Sequence, residues 1–167
     1  LAFYRFARAA DDVADNATAD AALKLAELDR LEAGLCGEAG ASEEGGRLRS
    51  ALLARDLTDR HALDLLEAFR RDVTKQRYAD WVELMDYCRY SAAPVGRFVL
   101  DLHGESQALW PLNDALCAAL QVINHLQDCA KDYRELDRVY LPLDALGAHG
   151  LSVQSLADRQ AAPPLRA

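Results

Sequence analysis

Tyr4-Arg5-Phe6-Ala7-Arg8-Ala9-Ala10-Asp11-Asp12-Val13-Ala14-Asp15, near the start of the chain, carries two aspartates four residues apart, Asp11 and Asp15. Gln121-Val122-Ile123-Asn124-His125-Leu126-Gln127-Asp128-Cys129-Ala130-Lys131-Asp132 repeats the spacing with Asp128 and Asp132. Both stretches read as helix, and a four-residue step places two carboxylates one above the other on a single face. At ~100° per residue, Tyr4, Arg8 and Asp15 fall within about 60° of Asp11. Asn124, Asp128 and Asp132 fall within about 60° of Gln121, with Val122, Ile123, Leu126, Cys129 and Ala130 on the opposite side. Two such faces turned toward one another gather four hard oxygen donors, a set that suits Mg²⁺ ions holding a diphosphate.

An amphipathic helix normally has a polar face, so either stripe alone reads as solvated surface. Ordinary solvated faces mix lysine and glutamate, however, whereas the second stripe is Gln, Asn, Asp, Asp. Like charges at i, i+4 weaken a helix by roughly 0.2–0.5 kcal/mol, and the sequence carries that arrangement twice. Arg8, beside the first pair, has the fork geometry to grip a diphosphate in bidentate fashion.

The rest of the chain supports an all-α frame. Its 167 residues suffice for one domain with a real core. Alanine and leucine abound, and no strand-like alternation of Val, Ile and Thr occurs. The net charge of −8 and the lack of a basic stripe argue against nucleic acid as partner. An acidic protein holds a diphosphate only with cations between them. Cys36, Cys88, Cys117 and Cys129 form no C-x-x-C pair and read as reduced core cysteines in a cytoplasmic setting. No apolar run approaches the ~20 residues of a membrane span.

Periodicity predicts helices over residues 1–16, 20–33, 47–55, about 59–76, about 80–103 and 112–134, the last capped by Asn113 or Asp114. Gly34 to Gly46 reads as a mobile loop. Val139-Tyr140-Leu141-Pro142 reads as extended, before a short helical turn to Gly147. Pro94 is expected to kink the fifth helix. Around it Ala92, Ala93, Val95 and Gly96 are expected to leave a slot for a prenyl chain, with Tyr87 at its polar end. Trp81 and Trp110 read as packing anchors, Asp72 and Arg77 as structural residues at a helix end. The abrupt opening and the Ala161-Ala162-Pro163-Pro164 end suggest a domain truncated at both ends.

With these motifs assembled, the chain resembles the squalene/phytoene synthase family. The likeness rests on Tyr4–Asp15, on Tyr87-Cys88-Arg89-Tyr90-Ser91-Ala92-Ala93-Pro94-Val95-Gly96, on Gln121–Asp132, and on Asp137-Arg138-Val139-Tyr140-Leu141-Pro142, in family order. Asp72-Val73-Thr74-Lys75-Gln76-Arg77-Tyr78, Tyr90–Gly96 and Asn124–Arg134 resemble the bacterial hopanoid-pathway branch, which forms hydroxysqualene. The resemblance implies an isoprenoid (terpenoid) synthase-type helical bundle with a central cavity. It implies presqualene diphosphate as substrate and Mg²⁺ as cofactor, with NADPH needed only by a squalene synthase proper. It assigns Asp11, Asp15, Asn124, Asp128 and Asp132 to the metal, and Arg8 to the diphosphate. Tyr4, Tyr87 and Gln121 would line the cavity's polar end and steer the cation. Gln127 and Lys131 depart from the family's usual arginine and acidic residue, which weighs against a simple head-to-head condensation. Three readings remain open at this point: hydroxysqualene formation, a sibling reaction giving squalene, presqualene diphosphate or phytoene, and a non-catalytic helical assembly factor. A water-insoluble product also implies peripheral contact with the inner membrane and with other hopanoid-pathway enzymes.

Overall fold

The computed structural model describes residues 1–157. Its helices are α1 (Ala2–Ala14), α2 (Ala21–Cys36), α3 (Glu43–Leu53), α4 (Arg60–Thr74), α5 (Trp81–Ser91), α6 (Ala93–Leu102), α7 (Trp110–Leu136) and α8 (Leu143–Ala148). No strand forms among the described residues; one isolated parallel bridge joins Arg77 to Val139.

Local sequence sets several of the helix starts. Asp20 caps α2 by accepting from the Leu23 amide at 2.8 Å. Asp80 caps α5 from the Glu83 amide at 2.9 Å, while Glu83 reaches back to the Ala79 amide at 2.7 Å. That reciprocal pair satisfies two otherwise orphaned donors. Neither Asn113 nor Asp114 caps α7, which begins earlier, at Trp110, with Pro111 in its first turn. A proline is tolerated there because its missing amide would have no partner anyway. Asp114 instead accepts from Arg97 Nε at 2.9 Å and ties α7 to α6.

α4 is the central wall. It packs on α1 and α2 on one side and on α5 and α6 on the other, and α7 leans on α5 and α6. One apolar core gathers Phe3, Phe6, Leu28, Leu35, Leu48 and Leu66 between α1, α2, α3 and α4. A second joins Tyr78, Leu84, Tyr87, Cys88 and Tyr140 around α5. Trp110 packs edge-on against His61 as expected, but Trp81 is exposed. Cys36 is also exposed rather than buried. Leu112, Leu116, Leu120, Ile123 and Leu126 form an apolar ridge along α7 that the described residues leave uncovered.

The glycine-rich segment departs from expectation. Gly34 lies inside α2, and Gly45 and Gly46 lie inside α3, so the connection shrinks to residues 37–42. At Gly34 and Gly45 glycine serves close approach instead of chain breaking. A Cβ on Gly45 would lie 2.5 Å from the Leu31 carbonyl oxygen and 2.6 Å from the Leu35 nitrogen. Backbone atoms cannot swing aside, so Gly45→Ala should cost about 1–3 kcal/mol from overpacking. A urea midpoint that does not fall would contradict this packing.

Pro94 also acts differently from a kink. α5 ends at Ser91 and α6 starts afresh at Ala93, with Pro94 in its first turn. Gly96 faces α7: a Cβ there would meet Asn113 Oδ1 at 2.1 Å and Cys117 Sγ at 2.6 Å.

Candidate active site

Between α1, α4, α5 and α7 lies a cavity of about 400 Å³. α1 contributes Tyr4, Ala7, Arg8 and Asp11 to its lining, and Asp15 follows at its C-cap. α7 contributes Gln121, Asn124, His125, Asp128, Asp132 and Leu136. The two aspartate pairs, more than a hundred residues apart in sequence, therefore border one space. Leu65, Ala68 and Phe69 of α4 and Val95 of α6 supply its apolar wall.

The carboxylates feel one another. Burial first, then the neighbouring Asp15 charge, pushes Asp11 above its ordinary pKa. Burial and the Asp128 charge do the same to Asp132. Repulsion of this kind is relieved by a cation. Arg8 donates to Asp11 at 2.8 Å and pairs with Asp12 at 2.8 Å. Exposed pairs of that kind contribute little stability, so the guanidinium can exchange partners at small cost.

Among the described residues, no three His, Cys, Asp or Glu side chains converge as a ready-made ion cage. The donor set nonetheless fits Mg²⁺. That ion keeps several waters and is commonly held by one or two carboxylates plus substrate phosphates. Two separated aspartate pairs, an asparagine amide and an open cavity match such shared coordination.

Of the slot residues expected around Pro94, only Val95 lines the cavity. Ala92 and Ala93 are buried in helix packing. Gly96 serves the α6–α7 contact described above. Small residues there bring helices together, so Ala92, Ala93 and Gly96 serve packing and do not line the cavity.

The cavity also holds a buried polar network whose roles the sequence did not reveal. Tyr87 donates to Asp72 Oδ2 at 2.9 Å, and Tyr140 donates to Asp72 Oδ1 at 2.8 Å. Arg138, 5% exposed, donates to Asp15 Oδ1 at 2.9 Å and to the Asp72 backbone carbonyl at 3.0 Å. The network thus runs from the first aspartate pair to Tyr87. Asp137, in the left-handed region with φ of 50°, ends α7 and turns the chain back. The Val139 amide then donates to the Gln76 carbonyl at 2.9 Å, fastening the extended segment. Alternation along it aims Arg138 and Tyr140 at the cavity together. His125 stacks on Tyr140 at 3.7 Å between ring centroids, and its Nε2 lies 3.3 Å from the Gln121 amide nitrogen. The signal for Asp72 was its place on the α4 face of His61, Leu65 and Ala68: a carboxylate on a face that packs inward.

Burial raises the Asp72 pKa to about 6, against the lowering effects of Arg138 and both tyrosines. Burial, then Arg138, lowers His125 to about 4. Tyr87 and Tyr140 are pushed far up by burial and by Asp72, so both stay protonated. Because folding raises the Asp72 pKa from 3.8, the native state binds that proton more tightly than the unfolded chain does. The stabilisation is fully present below pH 3.8 and is lost as pH rises through about 6. His125 acts with the opposite sign, and comparison with Asp72→Asn removes it. The wild-type urea midpoint, relative to that variant, should fall across this window. A relative rise would show that Asp72 is stabilised as an anion.

An all-α bundle with paired aspartates bordering a partly apolar cavity is the architecture of an isoprenoid synthase. The family model for squalene/phytoene synthase matches residues 1–167. A hydroxysqualene synthase of Sinorhizobium fredii is 62% identical over 93% of this chain and 53% of its own length. One from Rhodopseudomonas palustris is 58% identical over 99% of this chain and 56% of its own. A squalene synthase structure from Alicyclobacillus acidocaldarius superposes with a TM-score of 0.81 at 37% identity. It covers 99% of this chain and 63% of that one. A dehydrosqualene synthase in complex with ligand gives 0.82 at 26%, covering 99% and 58%. The chain belongs to the squalene/phytoene synthase family. It spans about half the length of the curated relatives it matches.

Proposed function

We propose that the complete protein converts presqualene diphosphate to hydroxysqualene with Mg²⁺. The observation that carries this reading is the meeting of both aspartate pairs and Arg8 at a cavity with an apolar wall. The hydroxysqualene synthases at 56–62% identity favour this product over its siblings.

Asp11, Asp15, Asp128 and Asp132, with Asn124, would hold the cation. Bound Mg²⁺ supplies Lewis-acid neutralisation of the charge that develops on the leaving diphosphate. Arg8 leaves its surface aspartates and grips diphosphate oxygens. Arg138 holds Asp15 in place from behind. Leu65, Phe69 and Val95 pack the prenyl chain and exclude bulk water. Tyr4, Tyr87 and Gln121 line the polar part of the cavity and steer the cation. Tyr87 donates a hydrogen bond to Asp72, which leaves its oxygen lone pairs available toward positive charge.

No helix among the described residues is long and apolar enough to cross a membrane. Because the product is water-insoluble, we place the reaction in the cytoplasm at the inner-membrane surface, next to the enzymes that take hydroxysqualene onward. The test is to incubate the complete protein with presqualene diphosphate and Mg²⁺, with and without NADPH. Hydroxysqualene in both arms is expected. Squalene appearing only with NADPH would assign a sibling reaction, and no conversion in either arm would favour an assembly role.

A further inference from the structure

The cavity wall carries polar groups that diphosphate binding does not use. Ser91 lies one turn beyond Tyr87 on α5, and among the described residues its buried Oγ has no hydrogen-bond partner. Gln121 and His125 lie one turn apart on α7, with their nitrogens 3.3 Å apart. All three line the same cavity from helices packed on one another. A buried hydroxyl offers one donor and two acceptor sites, and leaving it unmatched is costly. An ordered water needs two to four polar partners and a polar niche to be held. A hydroxyl, an amide and an imidazole on the lining of one cavity offer those partners.

We infer that Ser91, Gln121 and His125 form a water site that supplies the nucleophile capturing the carbocation, so that an alcohol forms. This rests on the reading proposed above. The carbon–oxygen bond to diphosphate breaks and its electron pair departs with the leaving group. The cyclopropylcarbinyl cation left behind rearranges as a ring carbon–carbon bond breaks, and the opened cation accepts a lone pair from the held water, forming a new carbon–oxygen bond. The resulting oxonium gives its proton to the released diphosphate, leaving a neutral alcohol and hydrogen diphosphate. No electron donor enters the balance.

The experiment gives the complete protein presqualene diphosphate and Mg²⁺ without NADPH, and measures alcohol formed per diphosphate released. Ser91→Ala and His125→Leu should each lower that ratio, and the double variant should lower it about tenfold. Proton loss then competes, so alkenes should rise in step. Ser91→Thr, which keeps the hydroxyl, should hold the wild-type ratio. An unchanged ratio in the double variant would overturn the inference. So would loss of diphosphate release in Ser91→Ala with helix content intact, because the water site acts after ionisation. Diphosphate release without alcohol from the wild-type protein would instead overturn the underlying reading.

Discussion

Asp128→Asn should cut turnover of presqualene diphosphate about a thousandfold, the effect of withdrawing several kcal/mol of charge stabilisation from a metal-assisted step. The same change should leave the fold intact. Asp128 is exposed. Its charge contributes to raising the Asp132 pKa, after burial, so the pair is repulsive in the free protein. Removing one member should leave stability unchanged or raise it by roughly 0.2–0.5 kcal/mol. Lost turnover with retained stability separates a functional carboxylate from a structural one. Wild-type turnover in the variant would remove α7 from the metal site.

Arg138→Leu should destabilise the protein by about 3–5 kcal/mol, because it strips the partner from a buried acid. Asp72 would be left with its two tyrosines and no positive charge, and Asp15 would lose its anchor. In a chain of this size that corresponds to a fall in Tm of about 10 °C. Asp72→Asn combined with Arg138→Leu should lose less than the sum of the single changes, since the two residues act on each other. A loss below about 1 kcal/mol for Arg138→Leu would mean that the network contributes little to holding the fold. Thermal and urea unfolding of the four proteins settles it.

The sequence disclosed the parts of this molecule that follow from local periodicity. The helices of Tyr4–Asp15 and Gln121–Asp132 were legible because their charged stripes repeat at helical spacing, and the structure brings both to one cavity. Asp20 and Asp80 cap the helices they begin, a feature set by local sequence. Long-range approach was not legible. Gly34 and Gly45 read as breakers, yet each sits inside a helix where a neighbouring backbone passes too closely for a Cβ. Gly96 read as room for substrate because a small residue looks the same whether a ligand or a helix fills the space. Asp72 and Arg138 lie 66 residues apart and meet only through the fold. Their partnership has no periodicity to betray it. Arg138 and Tyr140 belonged to a quoted motif, but only the turn at Asp137 directs them inward.

The central claim is that α1 and α7 share the ions that hold a diphosphate. The most direct measurement is calorimetric binding of a non-reacting prenyl thiodiphosphate to the complete protein, with Mg²⁺ and with chelator, in wild type, Asp11→Asn and Asp128→Asn. Binding should require Mg²⁺ and should be lost in both variants, since each helix supplies half of the site. Binding that persists in chelator, or that survives removal of either aspartate, would contradict the account.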